Sequence, residues 1–76
     1  MKVILYSGPH CGLCDQALDM LHSMQNIDIQ IEKINIRDSV ELYHLYGARI
    51  PVIKRNSDAA ELGWPFSIEA LQAFLS

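Results

Sequence analysis

Apolar residues along the chain fall into short blocks with two different spacings. Val3, Ile4, Leu5 and Tyr6 are contiguous and are ended by Gly8-Pro9, the pattern of a short buried strand over residues 2–6. Leu13, Ala17, Leu18, Leu21 and Met24 then recur at helical spacing. This predicts a helix from about Gly12 to Gln25, with Asp15, Gln16, Asp19 and His22 among its polar positions. Ile27, Ile29 and Ile31 alternate with Asp28, Gln30 and Glu32, as in a strand. The alternation slips at Lys33 before Ile34 and Ile36 resume, which predicts a bulge or the end of the strand there. Asp38, followed three residues later by Glu41, makes a capping box for a second helix. That helix carries Leu42, Leu45 and Tyr46 on its apolar side and stops at Gly47. Residues 51–54 read as a strand, Arg55-Asn56-Ser57-Asp58 as a turn, and residues 59–62 as the returning strand. Gly63-Trp64-Pro65-Phe66 connects to a last helix, capped by Ser67 and carrying Ile68, Leu71, Phe74 and Leu75.

The element order is therefore βαβαββα. Two strands joined through a helix should be parallel with a right-handed crossover, and the last two strands should form an antiparallel hairpin. The expected architecture is α/β: one domain over residues 1–76, with a four-stranded mixed sheet flanked by three helices on both faces.

Composition narrows the function. With 76 residues the chain has room for one compact core, and its 50% apolar and 20% charged content is globular. Six basic against nine acidic residues give a net charge of −3, which argues against the clustered basic stripe of a nucleic-acid binder. No apolar run is long enough to span a membrane. The apolar start is too short for a signal peptide and lacks a small-residue cleavage site, so we expect a cytoplasmic monomer with neither nucleic acid nor membrane as partner.

Two cysteines, Cys11 and Cys14, carry the chemistry. Secreted disulfide-stapled domains usually have four or more, and a bridge across so short a loop removes little chain entropy. The pair sits where the first strand hands over to the first helix. Unpaired N–H groups and the helix dipole favour an anion there, so the Cys11 thiolate is stabilised over the thiol. Cys14 lies one turn later, within reach for a disulfide and more shielded. The natural division is Cys11 as nucleophile and Cys14 as resolving thiol.

The Cys11-Gly12-Leu13-Cys14 motif, this element order and the Ile50-Pro51 dipeptide opening the third strand together resemble the thioredoxin fold. The compact length is similar to that of glutaredoxins. The Glu61-Leu62-Gly63-Trp64-Pro65-Phe66 segment resembles a glutaredoxin-like branch with a Trp-Pro-Phe connector. The resemblance implies a thiol–disulfide oxidoreductase with a cis Ile50-Pro51 bond against the cysteines. It also implies a substrate site around Pro51, Ile50, Arg49, His10, Gly63 and Trp64. Several positions depart from the glutaredoxin pattern: Gly12-Leu13 replaces Pro-Tyr, Gly8 a lysine, Arg49-Ile50 Thr-Val, and Gly63-Trp64 with Ser67 a Gly-Gly followed by an acid. Those missing groups clasp the carboxylates of glutathione, so glutathione is expected only as a weak co-substrate.

Other readings remain beside this one. Zinc needs four ligands, and His10, His22 and His44 are not spaced to complete a site with the cysteines. The small Gly12 permits an iron–sulfur cluster bridging two chains without demanding it, and we expect neither a metal nor a permanently bound cofactor. His10 either tunes Cys11 when protonated or is an ordinary loop histidine. Arg49 either holds an anionic thiol substrate or is a solvated turn residue. Trp64 and Phe66 either line a groove or pack beneath the last helix, the packing role being favoured. Expected partners are a disulfide-containing protein or small-molecule thiol substrate and a reductant such as glutathione or thioredoxin reductase. The rival class is a thioredoxin-fold binding module without disulfide turnover.

Overall fold

In the computed structural model, which describes residues 1–24 and 28–76, four strands form one sheet. The elements run β1 (Lys2–Ser7), α1 (Gly12–His22), β2 (Gln30–Asn35), a 3-10 turn (Ile36–Asp38), α2 (Val40–Tyr46), β3 (Val52–Arg55), β4 (Glu61–Gly63) and α3 (Ile68–Leu75). The sheet order is β2-β1-β3-β4, with β1 parallel to β2 and antiparallel to β3, and β3 antiparallel to β4. The expected α/β architecture is the observed one.

The contiguous apolar run of β1 follows from burial on both faces of the sheet. Val3 and Leu5 join Ala17, Leu21, Met24, Ile53, Leu71 and Leu75 in a core under α1 and α3. Tyr6 joins Ile36, Tyr46 and Val52 in a second core under α2, with Ile4, Leu42 and Ile50 packed against it.

This two-sided burial corrects the reading at Lys33. The pairing of β2 with β1 runs unbroken from Lys2↔Gln30 to Ser7↔Asn35, so neither a bulge nor a strand end lies at that position. Ile31 packs on the first core and Ile34 on the second. The apparent slip in phase is a change in which face of the strand carries isoleucine. Gln25 and Ile27, which the pattern assigned to the end of the first helix and the start of this strand, lie outside the described residues. Within them α1 closes at His22, with Ser23 as its C-cap.

The second helix starts differently from the expected capping box. Asn35 Oδ1 accepts from the Arg37 N–H at 2.9 Å, which sets a 3-10 turn that uses Asp38 as its last residue. Ser39 is the cap, its hydroxyl accepting from the Leu42 N–H at 3.3 Å. Leu45, expected on the apolar side, is exposed, while Tyr46 is buried. Gly47 does end the helix, but in right-handed backbone (φ −51°). Glycine is needed there for close approach, because a Cβ would lie 2.6 Å from the Tyr43 carbonyl oxygen.

The hairpin turn extends further than its polar residues suggest. Ala59 takes a left-handed φ of 60° and donates to the Arg55 carbonyl, so it belongs to the turn and not to β4. The Arg55–Asp58 ion pair (2.6 Å) and the Ala60 N–H donating to Asp58 Oδ1 draw the chain into this shape. Ser67 caps α3 as expected, accepting from the Ala70 N–H at 3.0 Å.

Candidate active site

The chain leaves β1 through Ser7, which is buried, and turns at Gly8, where a Cβ would come within 2.9 Å of Ile50 Cδ1. With a hydrogen at Gly8 the cysteine loop lies directly on Ile50, whose terminal methyl would have to shift to admit a Cβ. His10 then takes a left-handed φ of 56°, uncommon for a residue with a Cβ, and stays exposed. This turn delivers Cys11 to the N-cap of α1.

Cys11 Sγ accepts from the Cys14 N–H at 3.1 Å. A sulfur thus occupies the capping position usually filled by a serine or aspartate oxygen. Cys11 and Cys14 are joined in a disulfide, their Cα atoms 5.2 Å apart. Their surroundings differ: Cys14 is 2% exposed, whereas Cys11 is only partly covered. Between them Gly12 faces open space and Leu13 is 44% exposed, so the approach to Cys11 is open and apolar.

The Ile50-Pro51 bond is cis, as the family resemblance implied, and Pro51 is buried. The Arg49 and Ile50 N–H groups both donate to the Tyr46 carbonyl, at 2.8 and 3.1 Å, which fixes the chain leading into Pro51. The Pro51 carbonyl accepts from the Trp64 N–H at 3.1 Å. Tyr6↔Val52 and Val52↔Gly63 are register partners. The end of β1, the start of β3 and the end of β4 therefore meet at the edge of the sheet from which α1 departs. Ile50, Pro51, Gly63 and Trp64 are brought to the same edge as the cysteine loop.

Trp64 packs edge-on to Phe66 at 5.0 Å, and both lie against the core beneath α1 and α3. The Trp64-Pro65 bond is also cis, a feature the sequence reading did not include. Arg49 has structural partners. Its guanidinium is 3.8 Å from Glu61 Oε1 and 5.5 Å from the centre of the Tyr46 ring. Tyr46 donates its hydroxyl to Glu61 Oε2 and stacks on Tyr6 at 4.3 Å. No motif in the sequence signals this Tyr6–Tyr46–Glu61–Arg49 cluster, because β1, the end of α2 and β4 have to meet to form it.

His22 and His44 are exposed and lie on different helices. Among the described residues, no three His, Cys, Asp or Glu side chains converge as a metal centre requires, and no helix is long and apolar enough to cross a membrane. A cavity of about 200 Å³ opens beside the cysteine loop, lined by Gly8, Pro9, Arg37, Tyr43 and Ile50 among others. The sequence reading had singled out neither Arg37 nor Tyr43.

The four-stranded mixed sheet, the Cys-x-x-Cys pair at the start of α1 and the cis proline before β3 define a thioredoxin-like fold. A structure from X. campestris, the structural genomics target XcR50, superposes with a TM-score of 0.85 at 34% identity, covering 96% of this chain and 93% of that one. The solution structure of Ne2328 from Nitrosomonas europaea gives 0.83 at 28% identity, covering 99% and 91%. Thioredoxin 1 from Thermosipho africanus TCF52B, at 0.67 and 19% identity over 99% and 94%, shares the fold. The chain belongs to the family described as Glutaredoxin-like domain (DUF836), whose model matches residues 2–76. No curated protein matches it.

Proposed function

We propose that this protein is a thiol–disulfide oxidoreductase in which Cys11 attacks and Cys14 resolves. The observation that carries the reading is the asymmetry of the pair: Cys11 is partly open at a helix N-cap, while Cys14 is covered one turn further on. In the reduced protein the Cys14 N–H and the first-turn dipole stabilise a thiolate at Cys11. That thiolate attacks one sulfur of a substrate disulfide, forming a mixed disulfide and expelling the other sulfur as thiolate. The Cys14 thiolate then attacks Cys11 Sγ, closing the Cys11–Cys14 disulfide and releasing the second substrate sulfur. The substrate gains two electrons and two protons as two thiols, and the protein loses them. A thiol reductant, glutathione or a thioredoxin reductase, returns the protein to the dithiol.

Substrates in this reading are protein or small-molecule disulfides, handled by a cytoplasmic monomer without a resident cofactor. Glutathione is a weak co-substrate, because the positions of its usual clasp are Gly8, Arg49 and Ser67 here. Arg49 is moreover engaged with Glu61 and Tyr46. Ile50, Pro51, Gly63 and Trp64 shape the substrate edge around Cys11, and His10 sets the turn that presents it.

The test is turnover in two coupled assays, a glutathione mixed disulfide with glutathione reductase and a protein disulfide with thioredoxin reductase. We expect catalysis that depends on Cys11, with the second assay the faster. Absence of turnover in both would favour the binding-module reading.

A further inference from the structure

The cavity beside the cysteine loop does not end at its first lining. A second cavity of about 250 Å³ adjoins it, lined by Arg37, Ser39, Val40 and Tyr43. Arg37 and Tyr43 line both. With these shared walls the two hollows form a trough that starts at Gly8 and Pro9, three and two residues before Cys11, and reaches Val40 in the first turn of α2. Each cavity is smaller than the roughly 300–1,000 Å³ of a typical enclosed small-molecule site. An open trough of two such hollows suits a chain laid across it.

Its lining has a definite chemistry. Val40 is 76% and Tyr43 53% exposed, and the two stand three residues apart on the same face of α2. Arg37 is the charged residue of both cavities. It is exposed, and among the described residues no carboxylate lies within 4.0 Å of it. In a chain of net charge −3, the hollows beside the disulfide are therefore lined by a guanidinium that forms no ion pair among the described residues, although the exposed Asp38 follows it in the chain. Guanidinium pairs with carboxylate in forked hydrogen bonds.

We propose that this trough docks an extended segment of a disulfide-bearing protein substrate, with an acidic side chain paired to Arg37 and an apolar one seated against Val40 and Tyr43. This rests on the redox reading above, since the trough gains its meaning from where it begins. A segment whose cysteine sits at Cys11 crosses the first cavity before it reaches the second. An extended chain advances about 3.3–3.6 Å per residue, so it presents successive side chains along that path. The pairing is exposed, and such pairs contribute modestly, so preference and not absolute selection is expected.

Two cysteine-containing peptides test this, identical except for an Asp or a Lys near the cysteine. Each is prepared as a mixed disulfide with 2-mercaptoethanol, and every rate is normalised to hydroxyethyl disulfide for the same protein variant. The wild type should reduce the Asp peptide about three- to five-fold faster than the Lys peptide, and Arg37→Glu should reverse the order. An Asp/Lys ratio unchanged by Arg37→Glu overturns the proposal. A cysteine-free Asp peptide, titrated into the oxidised protein by NMR, should shift the amides of Arg37, Val40 and Tyr43; no shift there overturns it too. Reduced glutathione shifting the same amides as tightly would make the trough a small-thiol site and overturn the polypeptide assignment. If hydroxyethyl disulfide is not reduced at all, the redox reading fails, and the NMR titration alone decides the docking.

Discussion

Replacing Tyr46 with Phe removes one oxygen and leaves the rest of the cluster in place. The ring can still stack on Tyr6, and the residue 46 carbonyl can still accept from Arg49 and Ile50. What is lost is the hydroxyl donated to Glu61. A hydrogen bond to a charged group contributes about 1.5–3 kcal/mol. The Glu61 side chain is 28% exposed, so solvent screening reduces this to about 1 kcal/mol. That loss should lower the midpoint of thermal unfolding by about 4–8 °C in a domain of this size. The pH profile is the sharper test. The hydrogen bond to Glu61, then burial, then the Glu61 charge push the Tyr46 phenol well above its ordinary value of 10.0. A group whose pKa is raised by folding contributes stability that is present below its unfolded pKa and is lost as pH rises. Here the loss starts near pH 10, where the unfolded chain begins to release the proton, and reaches about 1.4 kcal/mol by pH 11. The wild type should therefore be the more stable protein up to pH 10. The two stability curves should cross at about pH 10.6, and the Phe variant should be the more stable at pH 11. Urea denaturation followed by circular dichroism at pH 7, 9, 10 and 11 measures this, with Tyr6 and Tyr43 common to both proteins. A difference that stays constant across that range, or is absent at pH 7, refutes the reasoning.

Ser39→Ala should destabilise by about 1 kcal/mol and Asp38→Ala by only a few tenths, read from parallel thermal melts; the reverse order would restore the capping box at Asp38. Arg55→Ala should lose about 2 kcal/mol. Arg55 bonds Asp58 through two nitrogens, donates to the Phe74 carbonyl at 2.7 Å and lies 4.5 Å over the Phe74 ring, so faster amide exchange at the end of α3 should accompany that loss. The Ala60 N–H, and also Arg55, hold the Asp58 carboxyl below its ordinary 3.8, so its contribution is present above that pH and disappears as pH falls through the lowered value. Asp58→Asn should accordingly flatten the acid limb of the stability curve. Arg49→Ala should weaken glutathione binding by no more than about tenfold in an NMR titration, and tight, saturable binding near Pro51 and Gly63 would contradict the weak-clasp reading.

What was legible in the sequence is what local spacing encodes. The β1-to-α1 junction, the Cys-x-x-Cys pair and the Ser67 cap depend on neighbours a few residues apart, and all three stand as read. The Lys33 slip was misread because alternation reports one buried face, whereas β2 places Ile31 and Ile34 on opposite cores. Ser39 displaced Asp38 as cap because Asn35 first forms a turn of its own. Ala59 belongs to the turn because Asp58 binds both Arg55 and the Ala60 N–H, a side-chain effect within the turn that alanine's own preference does not signal. At the candidate site, the position of Pro51 followed from family resemblance. The pairing of Arg49 with Glu61, and the cavity that Gly8 and Pro9 share with Arg37 and Tyr43, arise only when distant segments meet, whereas the Arg49–Tyr46 contact is local and carries no motif of its own.

The central claim is the order of attack within the cysteine pair. The direct measurement is mass spectrometry of Cys14→Ser and Cys11→Ser after each reduced variant is exposed to a substrate disulfide. The account predicts that Cys14→Ser accumulates a mixed disulfide mapped to Cys11, because the attack proceeds and the resolving thiol is gone. Cys11→Ser should accumulate none on the same timescale, with its remaining thiol covered. Equal trapping in both variants, or trapping at Cys14 alone, would contradict it.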